Sequence, residues 1–383
     1  MIPLFTPTIR GNEWKYIKEC LDTNWVSSAG SYVDLFEHKI AEFTGAKYAV
    51  SCVNGTSALQ LSLILSGVNS GDEVIVPTLT FIAPVNAIAY NNAIPLFIGA
   101  DKFFNINIEA TIEFIKTKTI YKNGFSYNKD TKNKISAIIP VHIWGNAVLL
   151  DELSVLCNER NIAIIEDSSE SLGTYYLKGK FKGQHTGTIG KCGCLSFNGN
   201  KIITTGGGGA ILTNDRKIAE KAKYLTTQAK DDPIRYIHNE VGYNFRMTNI
   251  QAALGVAQLE QLPSFLKFKK EIYNEYNLGI SKIKGISLAD TPNYSNNNHW
   301  MNLVILDAKK YGEDKTSLMN RLNNSGVQTR PVWTLNHMQK PYNNCFSYAL
   351  ENSNDLVNNS LCIPSSANLT KDEINQVILH LNA

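Results

Sequence analysis

Along the first half of the chain, short apolar runs of strand length alternate with longer segments of helical period. Residues 12 to 22 place Trp14, Ile17 and Leu21 on one helical face, and a second helix from Tyr32 to Phe43 ends at Gly45. A first strand from Tyr48 to Val53 runs into Asn54-Gly55-Thr56-Ser57, which opens a helix carrying Leu59, Leu61, Leu63 and Leu65. Val74 to Pro77 is the next strand, followed by a helix reaching Asn91 and a strand from Ile94 to Ile98. The stretch from Thr111 to Asn133 reads as a helix followed by an exposed polar excursion. Strands are then predicted from Ile135 to Val141, Ile162 to Ile165 and Ala210 to Thr213, with helices from Leu150 to Glu159 and Asp215 to Leu225. Each strand and helix together take about 20 to 30 residues, the spacing of crossover units in a parallel sheet.

Beyond Gln228 the pattern changes. A loop through Gly242-Tyr243-Asn244-Phe245-Arg246 enters a helix from Ile250 to Leu259, which Pro263 is expected to break before a second helix from Ser264 to Leu278. A strand from Trp300 to Leu306 and helices from Asp314 to Asn323 and Lys371 to Leu381 suggest a smaller α+β unit. The expected division is a large domain over residues 1–249, including the N-terminal helices, and a smaller domain over residues 250–383.

Composition narrows the function classes. With 43% apolar and 19% charged residues, the 383-residue chain has the balance of a globular protein of more than one unit. A net charge of +3, without clustered Lys and Arg, gives no reason to expect nucleic acid. No apolar run approaches the roughly 20 residues of a membrane span, and the start Met-Ile-Pro-Leu-Phe-Thr-Pro lacks the form of a signal peptide, so a cytoplasmic protein is expected. The seven cysteines are scattered, and Cys192 and Cys194 lack the second pair that would complete a zinc site.

Candidate chemistry gathers at the ends of the predicted strands. Leu195 and Phe197 alternate with Ser196 and Asn198 as at the end of a half-buried strand, then Lys201 follows at that end and stands before four glycines, Gly206 to Gly209. A backbone so stripped lets a ligand approach, and a desolvated lysine there can offer an uncharged amine to a carbonyl as a Schiff base; a solvated surface lysine is the plainer alternative. The strand, tight turn and helix around Gly55, Thr56 and Ser57 aim amides and hydroxyls at an anion, although Asn54 or Thr56 could simply cap the helix. Asp167 ends a buried strand, where open α/β sheets bind ligands and where an Asp can equally cap the next helix. Pyridoxal phosphate requires an amine, a carboxylate for its ring nitrogen, a phosphate cradle and a flat surface for its ring. Lys201, Asp167, Gly55-Thr56-Ser57 with Ser196, and Phe81 offer one of each on one sheet edge.

The segments NGTSAL at 54–59, PTLTFIAPVNAI at 77–88, IEDSSESLG at 165–173, SFNGNKIITTGGGGAI at 196–211 and GYNFRMTNIQAA at 242–253 resemble the DegT/DnrJ/EryC1/StrS sugar nucleotide aminotransferases. Within that family the resemblance is nearest to the UDP-N-acetylbacillosamine transaminases of bacillosamine and legionaminic acid synthesis. It implies an α/β protein of the PLP-dependent transferase fold type I, aspartate aminotransferase-like, with pyridoxal 5'-phosphate as cofactor. Lys201 then resembles the Schiff-base lysine and catalytic proton carrier, and Asp167 the partner of the ring nitrogen. Gly55, Thr56, Ser57 and Ser196 resemble the phosphate cradle, Phe81 the stacked aromatic, and His337 a substrate-side histidine. Asn244 matches an asparagine that reaches the neighbouring subunit's phosphate, which implies a homodimer with shared sites.

Two positions depart from the family pattern. Glu170 stands where many members have Gln or His beside the cofactor's phenolic oxygen, and Gly207 where many have Glu. The implied substrates are L-glutamate and a UDP-linked 4-keto-6-deoxy-N-acetylhexosamine, giving a 4-amino sugar for surface polysaccharide. The alternatives at this level are a sugar dehydratase of the same fold, which carries His in place of the lysine, an aminotransferase of that fold acting on another keto sugar, and a non-catalytic pyridoxal-phosphate-binding regulator.

Overall fold

The apolar runs pair into one large sheet in the computed structural model, which describes residues 1–232 and 234–382. Helices Glu13–Asp22 (α1) and Ser31–Thr44 (α2) lead into strand Tyr48–Cys52 (β1), helix Gly55–Leu65 (α3), strand Glu73–Pro77 (β2), helix Ile82–Tyr90 (α4), strand Ile94–Ile98 (β3) and helix Ile108–Thr117 (α5). Strands Thr119–Lys122 (β4), Phe125–Asn128 (β5) and Lys134–Ile138 (β6) follow, then helix Asp151–Glu159 (α6) and strand Ala163–Asp167 (β7). The short strand Tyr175–Tyr176 (β8), strands Cys192–Ser196 (β9) and Gly209–Thr213 (β10), and helices Arg216–Thr226 (α7) and Asn249–Ile280 (α8) carry the chain into its C-terminal part.

The main path of the sheet runs β1-β10-β9-β7-β6-β2-β3 and ends on Ser347–Tyr348. Along it β10 alone runs against the others; β7 pairs parallel with β9 through Asp167 and Cys194, and β2 with β3 through Ile75 and Leu96. A sheet covered on both faces needs apolar residues at successive positions, and β2 is buried throughout. Successive side chains serve opposite layers: Val74 and Val76 pack with Phe36 and Phe197, whereas Ile75 packs with Leu96, Ile138 and Phe114. Because β1, β2, β6, β7 and β9 run one way, the loops after them open on one edge, where the start of β10 joins them.

The C-terminal part builds a separate antiparallel sheet from Ile286–Leu288, Asn302–Leu306, Ser360–Ile363 and Arg330–Pro331. Its core combines Val304 and Leu361 with Ile272 and Tyr276 of α8 and Val377 of the last helix, Lys371–Leu381. The chain start also packs there, since Ile2 bridges to Val327 and the Leu4 amide donates to Gln328 Oε1 at 2.9 Å.

The structure differs from the expected pattern at three places. Pro263 does not break its helix: α8 is continuous over 32 residues, entered through a capping box between Thr248 and Gln251. An internal proline costs about 3 kcal/mol, and α8 offsets this by burying both halves, with Val256 and Ala252 in the large core and Ile272, Tyr276 and Ile280 in the small one. The excursion after α5 is a hairpin, β4 and β5, added to β6. Asn123 and Gly124, both at positive φ (53° and 79°), supply the two-residue turn whose twist suits a hairpin. Finally, β9 ends at Ser196, so Lys201 stands in the turn beyond the strand.

Candidate active site

Lys201 is held by its neighbours in sequence and by one residue far from it. Its amide donates to Asn198 O at 2.9 Å, Ile202 and Ile203 anchor the turn in the core, and the Trp300 indole N–H donates to Asn200 O at 2.7 Å. The amine lies 4.3 Å from the centre of the Trp300 ring and 3.4 Å from Glu170 Oε1. The other Glu170 oxygen accepts the Trp144 amide at 2.8 Å. Burial pushes the Glu170 carboxyl up from its ordinary value, while the charge of Lys201 pulls the other way.

Asp167 closes β7 and is 4% exposed. Its Oδ1 accepts the Ser169 amide at 3.0 Å, so it fixes the turn that presents Glu170 and caps no helix. Beside it Glu166 faces away into the fold, where it accepts the amides of Gly187, Ile189 and Gly190 and meets His142 Nε2 at 3.0 Å. Burial alone would raise the Glu166 carboxyl; the bond to His142 and the amides hold it low.

The turn before α3 is a donor site. Of the first-turn amides, Ser57 donates to Asn54 Oδ1 at 2.8 Å and Ala58 to Asn54 O, which leaves those of Gly55 and Thr56 with no carbonyl one turn back. Asn54 is therefore the helix cap, and the capping alternative and the anion-site reading hold together. A Cβ on Gly55 would stand 2.8 Å from Ser196 Cβ, so only glycine brings these amides against the Ser196 hydroxyl. The glycine run lies across the same turn: a Cβ on Gly209 would meet Asn54 at 2.5 Å.

These groups share one cavity of about 330 Å³, lined by Gly55, Thr56, Phe81, Asp167, Glu170, Ser196, Lys201 and Gly207, with Trp300 and Trp333. That volume is within the range of small-molecule sites. A larger open groove, about 450 Å³, lies at the opposite sheet edge around Ser136, Lys134 and Lys191 and gathers none of the candidate residues. Phe81 precedes α4 with 53% of its surface exposed, 6.2 Å from the ring of Trp333, which stacks on Trp144 at 5.3 Å. At Gly207 an added Cβ would meet nothing closer than 3.8 Å, so the missing glutamate leaves space.

Three candidates lie outside the lining. Ser57 is buried behind the first turn. Asn244 stands in the loop before α8, bridged to Thr227. His337 pairs through Nδ1 with Thr78 Oγ1 at 2.6 Å behind the loop that carries Phe81, and burial pushes its pKa down. Conversely, sequence reasoning passed over Trp300 and Trp333 as site residues. Trp333 stands four residues before His337 in sequence; nothing local marks Trp300, whose role depends on a contact across some hundred positions of chain.

A cofactor of pyridoxal phosphate's chemistry fits what is present: one amine, one strand-end carboxylate, two free amides with hydroxyls for a phosphate, and an aromatic rim. The comparisons agree. The DegT/DnrJ/EryC1/StrS aminotransferase family matches residues 7–382. The chain is 35% identical to EpsN of Bacillus subtilis, named for a pyridoxal phosphate-dependent aminotransferase, over 99% of this chain and 95% of that one. It is also 35% identical to the GDP-perosamine synthase of Escherichia coli O157:H7, over 100% and 98% of the two chains. The crystal structure of the aminotransferase TlmJ from Streptoalloteichus hindustanus superimposes with a TM-score of 0.88 at 26% identity, over 100% of this chain and 98% of that one. The chain therefore belongs to the DegT/DnrJ/EryC1/StrS aminotransferase family and is a pyridoxal-phosphate-dependent sugar aminotransferase of fold type I.

Proposed function

We propose that the protein moves the amino group of L-glutamate to C4 of a nucleotide-linked 4-keto-6-deoxy sugar, releasing 2-oxoglutarate and a 4-amino sugar. The observation that carries this is the single cavity joining Lys201, Asp167 and the Gly55-Thr56 amides beneath an aromatic rim. Pyridoxal phosphate bound there supplies an aldehyde to carry the amino group between the two substrates and a ring to take up electrons when a C–H bond breaks.

The residues divide the remaining work. Lys201 Nζ is the amine in the cavity, placed to hold the aldehyde at rest and, once free, to accept and return a proton as general base and acid. Glu170, 3.4 Å away, offers a carboxyl that shares that proton. Asp167 keeps a cationic ring N–H in place by charge, and the amides of Gly55 and Thr56 with the Ser196 hydroxyl bind the phosphate at the positive end of α3. Phe81 offers its ring as the flat surface against the cofactor's, and Trp300 and Trp333 wall the same cavity. Lys201 also speaks against the dehydratase alternative, which needs a histidine there.

The nucleotide divides into two readings. The motif segments favour a UDP-linked N-acetylated sugar, the substrate of UDP-N-acetylbacillosamine transaminases, whereas a relative named GDP-perosamine synthase favours a GDP-linked one. A second copy of the chain completes the site in this reading, bringing Asn244 to the partner's phosphate. Trp25, Ile234, Tyr236 and Val241 support it: they are exposed by 58%, 86%, 72% and 83% on segments at or near the Asn244 loop, which Arg246 ties to Ser28 O. Large apolar side chains so exposed mark an interaction surface.

The test is incubation with glutamate and UDP-, GDP- and dTDP-linked keto sugars, followed by mass spectrometry. Conversion of the UDP-linked N-acetyl sugar alone supports the first reading, and conversion of the GDP sugar alone the second. If glutamate bleaches the visible band of the loaded protein and no keto sugar gains nitrogen, the substrate class is wrong.

A further inference from the structure

Lys269, in the middle of α8, is 0% exposed and has no carboxylate partner among the described ion pairs. Its amine donates to Trp300 O at 2.8 Å and to Ser365 O, and lies 4.7 Å from the centre of the Phe5 ring. Burial pushes its pKa down to about 7, and in either charge state Nζ keeps N–H bonds to donate. A position that only had to fill space would favour a leucine or methionine, because a buried amine is tolerated only where its hydrogen bonds are made.

The backbone it grips is itself under strain. His299, next to Trp300, has a positive φ of 50°, and its ring stacks on Tyr273 of α8 at 4.2 Å, one turn beyond Lys269. Left-handed backbone at a non-glycine residue is unfavourable and persists where its surroundings over-determine it. α8 thus holds this corner twice, by Tyr273 under His299 and by Lys269 at the Trp300 carbonyl. The far side of Trp300 reaches the site: its indole N–H binds Asn200 O, and its ring covers the Lys201 amine at 4.3 Å.

We propose that Lys269 is a positioning residue for Lys201, acting through Trp300: it fixes the Trp300 main chain so that the indole both anchors the lysine turn and shields the amine. This rests on Lys201 being the reactive amine. The experiment therefore reads the amine directly in cofactor-free protein, apart from turnover. Competitive labelling with a limiting amine reagent at fixed pH, read by peptide mass spectrometry, compares Lys201 with exposed Lys18. In folded Lys269→Met the Lys201 labelling rate rises several-fold while that of Lys18 stays put, and Lys269→Arg returns it to the wild-type rate. Trp300→Ala raises it to the same extent, and the double variant adds nothing, as expected for one path. Wild-type labelling of Lys201 in folded Lys269→Met overturns the proposal. Should that variant not fold, wild-type labelling in Trp300→Ala overturns it equally. Full turnover by Lys201→Ala would instead sink the functional reading, whatever the labelling shows.

Discussion

Lys201 and Glu170 form a largely buried pair, Nζ to Oε1 at 3.4 Å, in which the second carboxylate oxygen is already committed to the Trp144 amide. Removing the lysine would leave Glu170 without its cation, in surroundings that already push its carboxyl up. Lys201→Ala is therefore expected to fold with the Glu170 carboxyl pushed further up, to lose turnover, and to leave no cofactor attached on borohydride reduction. A carboxyl raised above its unfolded value holds stability at low pH that is lost as pH rises through the folded pKa. Urea unfolding should thus show Lys201→Ala weakened more, relative to wild type, at alkaline than at mildly acidic pH. Lys201→Arg restores the charge and the stability but not turnover, since a guanidinium stays charged. Equal penalties at both pH values would show that the pair is not coupled.

Asp167→Asn keeps the bond from the Ser169 amide, because an amide oxygen can replace Oδ1, and removes the negative charge. Cofactor binding should fall less than rate, with kcat reduced on the order of 10²-fold or more, the scale seen when preorganised electrostatic support is removed. Unchanged turnover would reduce Asp167 to a turn residue.

Two glycines of the cavity should respond oppositely to an added methyl. Gly55→Ala drives a Cβ to 2.8 Å from Ser196 Cβ, so the turn before α3 must shift and its amides move off the phosphate position. A rise in the dissociation constant for pyridoxal phosphate of about tenfold or more is expected, the equivalent of roughly 1.4 kcal/mol. Gly207→Ala meets nothing nearer than 3.8 Å and should leave the melting temperature unchanged. A large stability loss at Gly207 would mean that its loop packs more tightly than this.

His185 supplies a pH dependence with a definite sign. It is fully buried, its Nε2 accepts the Gly173 amide at 2.7 Å, and its Nδ1 donates to Thr186 O. Burial lowers its pKa from 6.5 to about 4, against opposing contributions from Thr186 and Glu166 and with His142 adding to the shift. The unfolded chain takes up a proton near 6.5 that the folded chain refuses until about 4. The contribution is whole above 6.5 and is lost as pH falls to 4, amounting to about 3 kcal/mol for a shift of this size. Asp101 is pushed the other way, up to about 6 by burial, so total stability curves mix the two. The comparison that isolates His185 is with His185→Gln, whose urea stability should fall less steeply over that window.

The parts legible in the sequence were those that local pattern and spacing carry. Continuous apolar runs such as Val74 to Pro77 marked strands buried on both faces, and strand ends located Asp167 and the Gly55 turn because a parallel sheet brings such ends to one edge. The rest depended on energies that no window of sequence contains. Pro263 reads as a stop because its cost is local, while the burial that outweighs it comes from two separate cores. The hairpin around Asn123-Gly124 was read only as an exposed excursion: Ile120 and Tyr121 are 51% and 46% exposed while Ser126 and Asn128 are buried, so its apolar residues do not mark the buried face. Trp300 reached the Lys201 turn only through tertiary packing.

Asn244 bears on how many chains build one site. Asn244 lies outside the cavity of its own chain, and its loop is pinned to its own fold by the bond from the Val53 amide to Phe245 O at 2.7 Å and by the bridge to Thr227. In the proposed dimer it serves the phosphate of a second copy across a two-fold axis, where each chain offers the same patch to the other. Complementation decides this: Lys201→Ala chains are mixed with strongly impaired Asn244→Ala chains under conditions that exchange subunits. In a mixed dimer with shared sites, one site carries both lesions and the other carries neither, so part of the activity returns. If mass spectrometry of the intact assemblies shows mixed dimers and no activity returns, both residues serve the same chain's site, and the exposed Trp25 and Val241 must be covered by something other than a partner that completes catalysis.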